Sequence, residues 1–315
     1  MEIFHGLENL PISYQKAVIC LGNFDGVHTG HRQIIEICIS EAQKMAAKSL
    51  LVTFDRHPRI YFSQKSGCDA TPLLNTNDEK NNILSCTALD GVLYLEMTEE
   101  LLDLEAERFL KDVIVDKIKV SKVVFGYDFH FGKDRKGNID LMQFCGEKYH
   151  FDVIQVGALK KENEIVSSSL IRKYLLAGDL EKSKGLLGYD YHFSGTVVYG
   201  SGRGTGLGFP TANVDVSNKY KLIPATGVYF TKVKINNETK FGLCNIGTRP
   251  TFDEQDLIIE IYIYDLDGKN LYHRHIEVDL LRRLRDEIRY ETIEKLIDQM
   301  KLDKAMGENL MKQYN

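Results

Sequence analysis

The chain changes rhythm once, near Gly188, and that change constrains its fold more than any other feature. Before it, short apolar runs alternate with stretches of helical spacing. "AVICLG" (17–22), "SLLVTF" (49–54), "GVLYLEM" (91–97), "KVVFG" (122–126) and "FDVIQVG" (151–157) read as buried strands. Ile34, Ile35, Cys38, Ile39, Ala42, Met45 and Ala46 recur as one face of a helix, and residues 104–118 form another helical pattern. Such alternation predicts a Rossmann-like α/β domain, a parallel sheet covered on both faces. After Gly188 the β-rich stretches 191–200, 227–235, 240–247, 257–266 and 275–281 follow one another with turns such as "INNETK" and "DLDGKN" between them. Five or six strands without helices predict a small antiparallel β-barrel, and residues 292–314 a closing amphipathic helix. The stretch 177–193 carries the boundary, which we place between 184 and 185 to give domains 1–184 and 185–315. A length of 315 residues suits two domains.

Charge and cysteine usage narrow the class. The net charge of -5 argues against a general nucleic-acid binder, which needs a basic face for phosphates. None of the six cysteines forms a C-x-x-C pair, so neither a zinc knuckle nor a thioredoxin-like site is indicated, and reduced thiols are expected. "MEIFHGLENL" lacks the basic start and apolar run of a signal peptide. No apolar stretch approaches the ~20 residues that span a bilayer. The reading is a cytoplasmic protein that engages neither membrane nor nucleic acid.

Ligands of parallel sheets bind beyond the carboxyl ends of the strands. Two unusual stretches begin there, "GNFDGVHTGH" (22–31) and "GYDFHFGKDRKGN" (126–138). In the first, a turn leads from a strand into a helix whose free N–H groups suit phosphate. His28 and His31 can aim ring N–H donors at the same anion, and Gly30 lets a nucleotide approach the backbone. The two histidines are three apart and no third metal ligand is evident, which favours phosphate over metal. In the second half, "GSGRGTGLGFPTANV" (200–214) can curl N–H groups around phosphate, though no lysine follows as in a P-loop. Within "IEIYIYDL" (259–266), Ile259, Ile261 and Ile263 share one face of a strand and Glu260, Tyr262 and Tyr264 the other.

"GNFDGVHTGH" resembles the H-x-G-H motif of the nucleotidyltransferases, and "SSSLIRKYL" (167–175) their second signature. "TFDRHPRIYF" (53–62) and the 126–138 stretch resemble the prokaryotic FAD synthetases, with Arg56 where that family more commonly has proline. "GFPTAN" and "NIGTRPTF" (245–252) are similar to riboflavin kinases, with Thr205 where many relatives carry arginine. These motifs occur in order along nearly the whole chain, so it resembles the bifunctional riboflavin kinase/FMN adenylyltransferase family.

The resemblance implies conversion of riboflavin to FMN in the barrel and of FMN to FAD in the α/β domain, with ATP as co-substrate and Mg²⁺ as cofactor. It makes His28, His31 and Glu260 catalytic. Gly22, Asn23, Phe24, Asp25, Gly30, Ser168, Arg172, Gly202, Arg203, Gly204 and Gly206 would hold ATP phosphates. Asn23, Asp25, Asp128 and Arg249 would hold flavin, and Thr211 and Asn213 the metal. The run Arg282, Arg283 and Arg285 reads as solvated surface. Two other readings stay open: an adenylyltransferase for another phosphate whose barrel only binds, and a flavin- or RNA-binding regulator on an inactive synthetase fold.

Overall fold

The computed structural model describes residues 1–67, 70–200, 206–236, 238–250, 255–266 and 270–314. They fall into two compact units, Met1–Ser168 and Ser169–Asn315. In the first, β1 (Glu2–His5), β2 (Val18–Leu21), β3 (Ser49–Phe54), β4 (Gly91–Leu95), β5 (Lys122–Gly126) and β6 (Asp152–Val156) form one parallel sheet in the order β1-β4-β3-β2-β5-β6. A two-residue hairpin, β7 (Lys160–Lys161) and β8 (Glu164–Ile165), stands apart from it. Five of the six sheet strands match the apolar runs. The sixth, β1, is an exposed edge strand, so its sequence shows no apolar period.

Strand alternation divides the core. Ile19 and Leu21 join an apolar cluster with Leu50, Leu93, Phe109 and Phe125, whereas Val18 and Cys20 join another with Leu51, Val92 and Val124. The helix α1 (Thr29–Lys44) covers this second face with Ile34, Ile35, Cys38 and Ala42. Met45 and Ala46, expected on that face, lie beyond the helix end, where Ala46 turns to a φ of 48°. Residues 104–118 are helical as expected but not regular. One α-turn, Ala106–Arg108, passes into a π-helix, Phe109–Ile118, that buries Phe109, Leu110, Val113, Ile114 and Ile118.

The sheet order reverses at β2. The chain moves from it to β3 on one side and, later, to β5 on the other. Such a switch point leaves a crevice beyond the strand's carboxyl end, where ligands of open α/β sheets bind.

In the second unit β9 (His192–Val198), β10 (Thr211–Asp215), β11 (Gly227–Ile235), β12 (Glu238–Pro250), β13 (Gln255–Ile263) and β14 (His275–Arg285) close into an antiparallel barrel in the order β10-β13-β12-β11-β14-β9. Pairing of β9 with β10 completes the ring and leaves no open edge. Tyr229, Val233, Cys244, Ile246, Ile261, Ile276 and Val278 are buried within it. The helix Ile293–Tyr314 closes over the outer face, where Leu310 packs on Phe230, Leu243, Tyr264 and Leu281. The Tyr264 hydroxyl donates to the Lys304 carbonyl (2.8 Å) and leaves no room for a β-carbon at Gly307. Cys20, Cys38, Cys86, Cys145 and Cys244 are free thiols, and Cys68 lies outside the described residues.

The arginine run corrects the sequence reading. Only Arg282 is solvated. Arg283 donates to the Thr226 carbonyl (2.6 Å) and pairs with Asp286 (2.6 Å). Arg285 grips Asp303 of the closing helix through Nε (3.0 and 3.1 Å) and Nη2 (2.7 Å), and Gln299 donates to the same carboxylate (2.9 Å). Asp303 is four residues from Gln299 on one helix face, a partnership that only the folded helix creates. Its removal strands a guanidinium whose side chain is 19% exposed. Asp303→Ala is expected to destabilise the second unit by roughly 2–3 kcal/mol, below the cost of breaking a fully buried pair. Urea denaturation, compared with the surface control Asp298→Ala, measures it.

Candidate active sites

The turn after β2 carries the first set of side chains, and its backbone is strained. Phe24 (φ 50°) and Val27 (φ 35°) both adopt positive φ, as does Gly26 (φ 88°). The left-handed region is costly for a β-branched residue such as Val27, and such strain persists only where surroundings enforce it. Several contacts do so. Val27 and Phe24 are fully buried in the core under α1. Asp25 Oδ1 accepts the backbone N–H groups of Leu74 (2.9 Å) and Asn75 (3.4 Å). The Asn23 carbonyl accepts from Thr53 Oγ1 (3.3 Å) and Lys80 Nζ (3.0 Å), and the Asp25 carbonyl from the Ser168 hydroxyl (2.9 Å). Gly26 fits because a β-carbon there would come within 2.6 Å of Leu74 Cδ1.

His28 ends the turn and caps α1, its Nδ1 accepting the His31 backbone N–H at 3.2 Å. A ring nitrogen that accepts carries no proton, so the proton of neutral His28 sits on Nε2. The His31 ring stacks on it with centroids 3.6 Å apart and planes 14° from parallel. Burial, then the neighbouring His28 and Lys80, hold the His31 imidazole well below its usual range, so it is uncharged at neutral pH. His31 Nδ1 and Asn23 Oδ1 are buried with no hydrogen-bond partner among the described residues. The pair is thus a stack of neutral rings at a helix N-terminus, suited to donating N–H groups to an anion rather than to carrying charge.

The two strands that flank β2 also deliver loops to this edge. After β3, Asp55 Oδ1 accepts from Arg56 N (2.7 Å) and Met97 N (2.9 Å), and His57 caps the helix α2 (Pro58–Ser66) through Arg59 N (3.1 Å). Arg56 therefore supplies an N–H that proline at its position would lack. After β5, Asp128 stands exposed near Gly126. The loop beyond it is pinned by pairing of Phe131 with Gly137, and Arg135 is exposed at its tip.

Some predicted residues have other commitments. Asp25, expected on ligand, is 4% exposed, and its Oδ1 holds the 74–75 backbone. A β-carbon on Gly30 would press on the His28 ring at 3.3 Å, so this glycine makes room for that ring. Gly22 lies at 3.2 Å from the Phe24 ring by the same measure. Ser168 begins the helix Ser168–Leu176, and Arg172 is buried on that helix in the second unit.

The barrel carries the second set on its outside. Across the β10–β13 ladder Asn213 faces Glu260 and Thr211 faces Tyr262; across β12–β13, Asn245 faces Glu260. Directly paired residues share a face, so Asn213, Glu260 and Asn245 form one row across three strands. Ile259, Ile261 and Ile263 point the other way, into the core. Glu260, Asn213 and Asn245 are half-buried. The Asn213 amide packs so closely on Gly200 that a side chain there would clash with it. Gly206 and Gly208 border open space and the Phe209 ring meets Tyr262 edge-on at 6.0 Å. Gly202, Arg203, Gly204 and Thr205 lie outside the described residues, as does the side chain of Arg249, whose backbone is in β12. Thr248 is exposed near the end of the same strand.

Sequence reasoning missed Asn245 and Lys80. Asn245 lay within "NIGTRPTF", but its pairing with Glu260 depends on register. Lys80 sits in the helix α3 (Asn77–Ser85), and the Thr76/Glu79 capping box that starts that helix was a readable signal.

Comparison with known proteins follows the same division. A FAD synthetase family model matches residues 11–170, and a riboflavin kinase model matches 187–311. A bifunctional riboflavin kinase/FMN adenylyltransferase of Buchnera aphidicola subsp. Schizaphis graminum is 32% identical, over 96% of each chain. One of Listeria monocytogenes is 34% identical over 91% of this chain and 90% of its own. A crystal structure titled as a macrolide-efflux protein from Streptococcus pneumoniae superposes with a TM-score of 0.86 at 25% identity, over 98% of this chain and 99% of that one. Among the described residues of this chain, no helix is long and apolar enough to cross a membrane.

The buried His31 has a thermodynamic signature. On unfolding it regains an ordinary pKa near 6.5, so below that pH the unfolded chain binds a proton that the folded chain resists. Stability is therefore lost as pH falls through about 6.5. His31→Asn is expected to flatten this decline, as measured by urea denaturation between pH 7.5 and 5.

Proposed function

The chain belongs to the bifunctional riboflavin kinase/FMN adenylyltransferase family and carries both activities, and from that premise we propose how its residues divide the two reactions. The observation that carries this reading is the separation of two reactive sets into two compact units. His28 and His31 stand at the switch point of the parallel sheet, and Glu260 stands on the barrel's outer face.

In the first unit an FMN phosphate oxygen attacks the α-phosphorus of ATP, and the bond to pyrophosphate breaks. No covalent enzyme intermediate is required, so positioning and electrostatic stabilisation supply the rate. His28 and His31 donate ring N–H groups to phosphate oxygens as charge moves to the leaving pyrophosphate. The first turn of α1 presents backbone N–H groups to the same anion. Asn23, with its buried unpartnered Oδ1, is the substrate-facing residue of the turn, while Asp25 fixes the turn's shape. Asp128 and its loop border the flavin.

In the barrel, Glu260 accepts the proton of the ribityl 5′-hydroxyl as that oxygen attacks the γ-phosphorus of ATP and ADP leaves. Asn213 and Asn245 flank Glu260 in register on the same face of the barrel. Thr211 and Asn213 sit two apart on one strand and present neutral oxygens to the same face, a set that suits a hard cation held chiefly by phosphate and water. They are the residues that would hold Mg²⁺, which when bound neutralises charge on the triphosphate. The glycine-rich segment 200–208 would cover the phosphates. The two matched families meet between 170 and 187, which supports a functional boundary at 184/185. Consumption of ATP and free flavin supports a cytoplasmic setting.

Purified protein incubated with riboflavin, ATP and Mg²⁺ is expected to form FMN first and FAD afterwards, as resolved by chromatography of the flavins. His28→Ala is expected to lower FAD formation about a hundredfold or more while sparing FMN formation. Glu260→Gln is expected to lower FMN formation by about 10²–10⁴ while sparing adenylylation of supplied FMN. Loss of both activities in either folded variant would refute the two-site division.

A further inference from the structure

Lys80 lies in α3, outside every motif that carries the reading above, and is 5% exposed. An ammonium has three N–H donors. This one meets a single acceptor, the Asn23 carbonyl at 3.0 Å. Among the described residues no carboxylate pairs with it directly. Asp25 acts on it from beyond ion-pair distance, and the Tyr94 ring of β4 lies 5.9 Å away. A nearly buried charge so thinly compensated is costly unless something nearby uses it.

What it touches is the strained turn. Asn23 precedes Phe24, Gly26 and Val27, the three residues at positive φ, and His28 and His31 follow. The same helix region holds the turn a second time, since Leu74 and Asn75, just before α3, donate to Asp25. Lys80 also acts on His31 electrostatically, adding to burial and to His28 in disfavouring its protonated form. The groups that face it are Asp25 and His31 on the turn and Tyr94 on β4; His28 and Lys80 face His31.

We propose that Lys80 is a positioning residue for adenylyl transfer, which ties down the Asn23 carbonyl and sets the charge that His31 experiences. It contributes two separable effects. Its hydrogen bond holds the backbone that aims the two histidines. Its positive charge keeps His31 a neutral N–H donor as pH falls. Burial in turn holds the Lys80 ammonium down at about 8, so at neutral pH it still carries most of its charge.

The inference rests on the assignment of adenylyl transfer to the His28/His31 turn, and two variants separate its effects. Lys80→Met keeps the length of the side chain but loses both hydrogen bond and charge. Lys80→Gln keeps a donor and loses the charge. Adenylylation of FMN is measured from pH 5.5 to 8.5 in the full chain, with circular dichroism and urea denaturation of each variant as the control for folding. Lys80→Met is expected to lower kcat about tenfold or more with KM for FMN little changed. Its acid limb should move to higher pH by about half a unit, because His31 then protonates more readily. Lys80→Gln is expected to recover much of kcat while keeping the displaced limb. An acid limb at the parental pH in both variants overturns the proposal. If Lys80→Met does not fold, the limb of Lys80→Gln decides alone. Full adenylylation in His28→Ala would instead refute the site assignment, whatever Lys80 does.

Discussion

The hydrogen bond from the His31 backbone to the His28 ring is the contact on which the first unit depends. It makes one histidine the cap of a helix and brings the next onto its ring. For this to happen the chain must leave β2 and turn within six residues, faster than ordinary backbone conformations allow. The cost is positive φ at Phe24 and Val27. Burial of both side chains and the bonds to Asp25 and Asn23 offset it. The edge that carries the two histidines is therefore held by the sheet and by the segment 74–80 together.

The same logic explains why the rings are neutral. Two imidazolium ions stacked at 3.6 Å would repel, and a protonated Nδ1 could not accept the capping bond. Burial of His31 and the nearby ammonium reinforce this. In the role proposed for them, neutral donors would stabilise a charge that appears during the reaction without binding the ground state as strongly as cations would, which favours turnover over affinity.

Much of this was legible in the sequence, for identifiable reasons. Apolar runs such as "AVICLG" announce central strands because both of their faces are buried. The alternation in "IEIYIYDL" placed Glu260 opposite the isoleucines because period two alone decides the face of a strand. Features that need a partner distant in sequence were not legible. The β1 edge has no apolar period. The pairing of Glu260 with Asn213 and Asn245 requires the register of three strands. Arg285 looked solvated until Asp303 arrived from the closing helix. Lys80 lies in no motif, and nothing local in the sequence shows that α3 docks beside the turn. Asp25 and Gly30, expected to face ligand, have structural uses that only the fold reveals, one fixing backbone and the other admitting a ring.

The row Asn213–Glu260–Asn245 spans three strands and two ladders of a barrel with no free edge. A strand in an open sheet can slide by two residues and keep its inward side chains inward. Here each strand is locked by neighbours on both sides. A single residue inserted within β13 would send Glu260 into the apolar interior and bring an isoleucine to its place. Lineages that carry this barrel are thus free to vary in length at its loops but not along its staves, so gains and losses of sequence should collect where the strands end.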